Sequence, residues 1–298
     1  MVDITHKSNT LRQAVAQAIV RVSSQETIDK IKNNQVPKGD VFAMAKAAGL
    51  LGVKKTPELL PDCHPLPIEY AGIEYEIDGL DINITMTVKT IYKTGVEVEA
   101  MHGASVVALT LYDMLKPIDK QVEIGTIRLM SKTGGKSSYQ AAEQKLTAQV
   151  VVCSDTISRG EKEDRAGKII LEKLKLVGLS SDYQIIPDEP EPIKKLVEKQ
   201  EADLLIFTGG TGAGPRDITP DTVRPMLDTI LHGVEEQMRR YGQERTPFAM
   251  LSRSVAGIRE GNVILALPGS SKGARECMDA IFPHLLHVFQ VLKGKRHD

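Results

Sequence analysis

From residue 149 onward, short apolar runs alternate with stretches of helical periodicity, and this rhythm constrains the fold more than any other feature of the chain. Strands are expected at Gln149 to Ser154, Tyr183 to Ile186, Leu204 to Thr208 and Val263 to Leu267. Helices are expected near Ala166 to Val177, Ile193 to Lys199, Thr222 to Leu231 and Val234 to Tyr241, with a closing helix from about Gly273 to Leu292. Strands that alternate with helices pair in parallel and are covered on both faces, so residues 141–298 read as a doubly wound α/β domain.

Residues 1–140 follow a different pattern, and the Gly-, Ser- and Gln-rich stretch between Lys132 and Gln149 marks the join. Leu11, Val15, Ile19 and Val22 fall at helical spacing, and Ser23 to Glu26 offers a capping box for a second helix through Ile28 and Ile31. Ile73, Tyr75 and Ile77, then Ile82, Ile84, Met86 and Val88, alternate with polar neighbours around Asp78-Gly79, as in a hairpin with one wet face. A helix from about Val96 to Lys116 stops at Pro117, and a last strand runs around Val122 to Met130. The first half is therefore an α+β sandwich.

Charge excludes one class of partner. The 38 Lys+Arg residues balance 39 Asp+Glu, Trp is absent and aromatics make up 4%, so there is neither a basic field nor a stacking surface for nucleic acid. Cys63, Cys153 and Cys277 are odd in number and form no C-x-x-C pair, which points to a reducing compartment rather than to a disulfide framework. No apolar run nears the ~20 residues that cross a bilayer. A soluble cytoplasmic protein without membrane contact is expected.

In the second half, three strands end in loops suited to anions: Cys153-Ser154-Asp155, Thr208-Gly209-Gly210-Thr211-Gly212 and Pro268-Gly269-Ser270-Ser271. Ligands of open α/β sheets gather at strand carboxyl ends, and glycine lets backbone amides approach a phosphate. Neither standard nucleotide motif fits, because Pro215 stands where G-x-G-x-x-G needs its last glycine and no lysine follows the glycines as in a P-loop. Asp188 and Asp217 are candidates for Mg²⁺, which prefers a few carboxylates and completes its shell with phosphate oxygens. Either acid alone reads as a loop residue or helix cap; beside the glycine run the pair gains weight.

TGGTGAGPRDITPD at residues 208–221, with IPDEP at 186–190, LSRSVAGIR at 251–259 and LPGSSKGARE at 267–276, resembles the molybdopterin adenylyltransferases of molybdenum cofactor biosynthesis. The resemblance implies transfer of AMP from Mg-ATP to molybdopterin, with Asp188 and Asp217 at the family's functional aspartates and the glycine loop holding phosphate. A non-catalytic molybdopterin-binding or scaffold module is the alternative, since the same fold also serves proteins without the transferase activity.

In the first half, Lys38 opens a small-residue helix, and Asp113 and Lys116 share a face at i,i+3. Each is ordinary alone, as a solvated charge and a helical ion pair; together they suit proton transfer beside a polyanion. Adjacent Cys63 and His64 point to opposite sides of an extended chain, which argues against a nucleophilic dyad. Ser131 to Ser137 looks like a P-loop, but Met130 replaces its first glycine, so the segment reads as a linker that supplies Lys132 and Lys136.

KGDVFAMAKAAG at 38–49, LLPDCHPLPI at 59–68, KTGVEVEAMHGASVVALTLYDMLK at 93–116 and SKTGGKS at 131–137 together resemble the cyclic pyranopterin monophosphate synthases. The resemblance implies a ferredoxin-like subunit that converts 3′,8-cyclo-7,8-dihydroguanosine 5′-triphosphate to the cyclic phosphate and pyrophosphate. It places Lys38, Asp113 and Lys116 at catalytic positions, and Asp62-Cys63-His64 and Val98-Glu99 along the substrate pocket. It also implies homo-oligomers, hexameric for the first half and trimeric for the second. It fixes no certain cofactor for the first half and leaves metal use there open.

Overall fold

The structure is a computed structural model that describes residues 1–135 and 146–294. The chain divides into two compact units on either side of residue 138.

The first unit contains β1 (Thr10–Arg21), α1 (Gln25–Lys32), α2 (Val41–Leu59), β2 (Tyr70–Asp78), β3 (Asp81–Tyr92), α3 (Glu97–Leu115) and β4 (Glu123–Thr133). Its four strands form one sheet in the order β2-β3-β1-β4, every pair antiparallel. The hairpin and the helix stopped at Pro117 lie where the sequence predicts them. The opening helix does not exist: Thr10–Arg21 is a strand. Ala14, Ala16, Ala18 and Val20 point into the core with period 2, opposite Val88, Met86, Ile84 and Ile82. Of the residues at helical spacing, Leu11 is 59% exposed and Val15 and Ile19 are half-buried, while Val22, just past the strand, is buried in the core. Three alanines on the buried face concealed the alternation.

Those small side chains leave room for α2 and α3, which pack unusually close. A Cβ on Gly49 would stand 2.3 Å from Val107 Cγ2, and one on Gly103 would stand 2.4 Å from Val53 Cγ2. The close pairing brings the loop before α2 alongside the carboxyl end of α3.

The second unit contains β5 (Thr147–Cys153), α4 (Asp155–Ser158), α5 (Ala166–Leu176), β6 (Ser180–Ile186), α6 (Pro190–Glu198), β7 (Leu204–Thr208), α7 (Thr219–Val223), β8 (Thr229–Ile230), α8 (His232–Gln243), β9 (Val255–Arg259), β10 (Asn262–Leu267), α9 (Ser271–Ile281) and α10 (Val288–Leu292). The sheet order is β6-β5-β7-β10-β9-β8. The first four strands are parallel, and β9 and β8 add an antiparallel edge. Each face carries its own core, one built around Ile170, Leu174, Met238 and Met278, the other around Val151, Phe207 and Ile193. This is the α/β arrangement expected, with mixed rather than purely parallel pairing.

Two helical expectations need correction. The stretch Thr222 to Leu231 is the end of α7, a 3-10 turn at Arg224–Met226 and then β8, because Pro225 and the extended Leu227 that follows end the helical ladder. The closing helix is broken after Ile281, since Pro283 forces the preceding Phe282 out of helical geometry.

Candidate functional site

In the first unit, Lys38, Asp113 and Lys116 converge. Asp113 and Lys116 stand one turn apart at the end of α3, and Lys116 Nζ lies 2.8 Å from Asp113 Oδ1. Lys38, on the loop before α2, donates to Asp113 Oδ2 at 2.6 Å and to its backbone oxygen at 2.9 Å. Hydrogen bonds from Lys116 and then Lys38 bring Asp113 down to about 2, and the same contact with Asp113 raises Lys116. The cluster is a fixed carboxylate carrying two ammonium groups at the surface.

The remaining sequence-derived residues gather near the opposite end of α3. Glu99 is buried and accepts from Cys63 Sγ at 3.2 Å. Burial, assisted by Glu99, pushes the Cys63 thiol up to about 11. Glu99 itself is raised by burial, against the hydrogen bonds it accepts. His64 Nε2 lies 2.8 Å from Val2 O, so Cys63 and His64 take separate partners and form no dyad. Asp62 pairs with the terminal ammonium at 2.6 Å, and Val98 is half-exposed. Lys132 on β4 reaches Glu97 Oε1 at 2.9 Å. Lys136 lies outside the described residues.

Sequence reasoning missed Glu97 and Arg12. Burial alone would raise Glu97, yet hydrogen bonds from Lys132 and the backbone and the charges of Lys132 and Arg12 hold it low. Arg12 is anchored on Tyr92 O and Lys93 O, both at 3.2 Å. Glu97 shares the KTGVEVEA run that carried the resemblance, whereas Arg12 lay inside the misread strand. The two groups of residues are separated by roughly 21 Å along α3 at ~1.5 Å per residue. One copy of the chain does not bring Lys132 to Lys38.

In the second unit, the three strand ends meet as the sequence predicts. Gly209 has φ +113° and Gly210 φ +59°. A Cβ on Gly209 would meet Cys153 O at 2.1 Å, so only glycine lets the β7 loop pass the end of β5. Gly209 N donates to Leu267 O at 3.1 Å, and buried Thr208 donates its hydroxyl to Pro268 O at 2.9 Å. Ser154 and Ser270 cap α4 and α9 by accepting from Ile157 N and Gly273 N.

Asp155 and Asp188 brace each other, with Asp188 N donating to Asp155 Oδ1 at 3.0 Å and Asp155 N to Asp188 Oδ2 at 3.3 Å. Arg216 closes on Asp155. Asp217 Oδ2 accepts from Gly214 N at 2.8 Å. Asp188 is raised by burial and then by the charge on Asp217. Its Oδ1 and the neighbouring Thr219 Oγ1 are buried atoms with no hydrogen-bond partner among the described residues. A Cβ on Gly210 would stand 2.6 Å from Thr219 Oγ1 and 3.3 Å from Asp188 Oδ1, so the two oxygens lie close under the loop.

Unsatisfied hard oxygens of this kind suit a divalent cation. Among the described residues no three His, Cys, Asp or Glu side chains form a cage, so a magnesium ion here would complete its shell with ligand oxygens and water. Arg253 was not singled out from sequence, yet it braces the whole loop. Its Nε donates to Gly212 O at 2.7 Å, Nη1 to both Asp221 oxygens at 2.9 and 2.8 Å, and Nη2 to Asp217 O. Arg253 N also donates to Thr211 O at 2.9 Å.

Comparison with known proteins assigns each unit a class. The model of the MoaC family matches residues 1–135, and that of the probable molybdopterin binding domain matches residues 149–287. A molybdenum cofactor biosynthesis bifunctional protein of Chlorobaculum tepidum is 42% identical over 301 residues, which span 100% of this chain and 96% of that protein. A cyclic pyranopterin monophosphate synthase of Clostridium perfringens is 49% identical over 139 residues, 46% of this chain and 87% of that protein. The structure of the molybdopterin biosynthesis enzyme MoaB from Thermus thermophilus is 40% identical and covers 51% of this chain and 99% of its own, with a TM-score of 0.46. By these family matches the chain is a MoaC-family domain followed by a probable molybdopterin binding domain. The chain belongs to the family of molybdenum cofactor biosynthesis bifunctional proteins.

Proposed function

We propose that the first unit converts 3′,8-cyclo-7,8-dihydroguanosine 5′-triphosphate to cyclic pyranopterin monophosphate and pyrophosphate, and that the second transfers AMP from ATP to molybdopterin. The name of the Clostridium perfringens relative supports the first reaction, and the match to a molybdopterin-binding domain supports the second. The antiparallel order β2-β3-β1-β4, with the helices packed on one face, supports a ferredoxin-like reading of the first unit. Free cysteines throughout suit a reducing cytoplasm, and no described helix is long and apolar enough to cross a membrane.

The observation that carries the first assignment is the Lys38–Asp113–Lys116 cluster. With Asp113 held low and Lys116 high, the pair does not exchange a proton near neutrality. Lys38 and Lys116 serve as cations for the triphosphate, and Lys116 as a proton donor tethered by Asp113. Glu99, raised by burial, is the better place to hold and return a proton. Arg12 and Lys132 near the other end of α3 add positive charge for the same polyanion. Joining the two ends in one site needs a neighbouring copy, which supports a homo-oligomer, hexameric or trimer-based.

The orphaned Asp188 Oδ1 under the glycine loop carries the second assignment. Asp188 and Asp217 would hold magnesium, which neutralises charge between two phosphate-bearing substrates. The chain's own part is positional: Gly209 to Gly212 present backbone to a phosphate, Arg253 fixes that loop, and Ser154, Asp155, Pro268, Gly269 and Ser270 frame the crevice.

Both readings are open to direct assay. Lys116→Ala should nearly abolish formation of the cyclic phosphate while the exposed site leaves folding intact; wild-type turnover would refute the assignment. Incubating the full chain with molybdopterin, ATP and magnesium should release pyrophosphate and yield adenylylated molybdopterin. Absence of both products leaves the second unit a binding module.

A further inference from the structure

Thr56 is fully buried on α2. Its hydroxyl oxygen lies 3.1 Å from Gly52 O, 3.0 Å from Val53 O and 3.0 Å from Nδ1 of His102 on α3. A hydroxyl has one hydrogen to give, and the two carbonyls can only accept. That hydrogen therefore stays on the helix's own backbone, and His102 Nδ1 is the donor to Thr56 Oγ1. The bond selects the tautomer: the neutral ring carries its lone pair on Nε2, and there it takes up a proton.

His102 stands three residues after Glu99, so the two share a face of α3 on neighbouring turns. Glu99 is fully buried, with Cys63 Sγ donating to it at 3.2 Å. The negative charge of Glu97 adds to the effect of burial and raises Glu99 further, whereas a positive charge on His102 lowers it. Glu97 has its own cation in Lys132 at 2.9 Å. On α2, Lys55 and Glu58 flank Thr56 and pair with each other at 2.6 Å. Imidazole is the side chain that changes charge near neutrality, so in this set His102 is the group that can switch the field at Glu99.

We propose that His102 is a positioning residue for the first unit's reaction: pinned to Thr56 through Nδ1, it brings positive charge to Nε2 and stabilises the Glu99 carboxylate left when that group hands its proton to the substrate. The imidazolium keeps its own proton throughout, so the Glu99 proton is the one that moves. With His102 neutral, burial alone governs Glu99 and opposes the handover. The stored proton is thus released most readily while the neighbour on the next turn is charged. The assignment rests on the reading of the first unit as a cyclic phosphate synthase in which Glu99 holds a proton, and it names what governs that proton.

The test uses the full chain and follows the His102 imidazole by NMR over about pH 5 to 8. Unit charges at the ~5–6 Å spacing of neighbouring turns, in an effective dielectric of about 40–80, change each other's proton affinity by about threefold to tenfold. Glu99→Gln removes the anion, so the proton affinity of His102 should fall by that factor. The coupling is reciprocal. His102→Gln should raise the proton affinity of Glu99 equally and carry the Glu99 limb of the pH profile of kcat/KM to higher pH. Its amide still donates to Thr56 Oγ1, so a merely structural role for His102 predicts a lower rate at every pH with the limb in place. Should His102→Gln not fold, the titration against Glu99→Gln decides alone. An unchanged His102 titration in Glu99→Gln, or an unmoved limb in His102→Gln, would overturn the assignment. The synthase reading is scored separately by formation of the cyclic phosphate. Full turnover with an uncoupled titration sinks only the His102 assignment, and a coupled titration without turnover sinks the synthase reading.

Discussion

Substitution of Gly209 by alanine tests whether the crossing of two loops sets the phosphate site. The residue has φ +113°, and its new Cβ would lie 2.1 Å from the carbonyl oxygen of Cys153. Relief requires separation of the ends of β5 and β7 just where Val152 pairs with Thr208. A strained backbone costs about 1–3 kcal/mol and a rigid overpacking about as much again, so the sum is about 2–6 kcal/mol. At ~2–4 °C per kcal/mol for a domain of this size, the unfolding midpoint of the second unit should fall by about 5–20 °C. Gly178→Ala is the control, because φ there is +80° with nothing within 4 Å of the added atom. It should cost only the backbone strain, about 1 kcal/mol. Differential scanning calorimetry of the full chain should show the first unit's transition unmoved in both variants, and phosphate affinity should fall in Gly209→Ala alone. A Gly209→Ala protein as stable as Gly178→Ala would refute the close crossing.

Glu99→Gln should stabilise the first unit progressively as pH rises. Burial raises the Glu99 pKa, so the folded chain holds that proton more tightly than the unfolded chain. The stabilisation is full below the ordinary carboxylate range and is lost as pH climbs through the raised value, so the difference in Tm between variant and wild type should grow over that window; a flat difference would contradict it. Arg253→Lys keeps the charge but loses the fork that holds Gly212, Asp217 and Asp221 together. Adenylyl transfer should fall by about 10–100-fold through misplacement of the loop, with only a few degrees lost in Tm; unchanged turnover would dismiss the brace.

What could be read from the sequence depended on the range of the interactions. The glycine loops, the hairpin and the alternation of the second unit are local, and each appeared near its predicted place. The Lys38–Asp113 contact was suggested only through resemblance, since no spacing rule joins a loop lysine to a helix end 75 positions on. β1 failed because alanine carries little hydrophobic signal: its inward face is coherent only when the partner residues Ile84 and Met86 are seen. Arg253 was hidden for a further reason, as three of its acceptors are backbone oxygens that sequence does not reveal. Pro283 was visible, yet the apolar period on either side of it suggested one continuous helix.

The state of the three thiols bears on a ligand that carries sulfur of its own. Cys63 is pushed up to about 11, and Cys153 and Cys277 to about 12, chiefly by burial. At neutral pH each is thiolate only about once in 10⁴ or more molecules, and thiolate is the species that exchanges with disulfides. Cys277 lines a pocket of the second unit. A sulfur-bearing ligand bound in that pocket would meet a wall that neither cross-links with it nor competes for a soft metal.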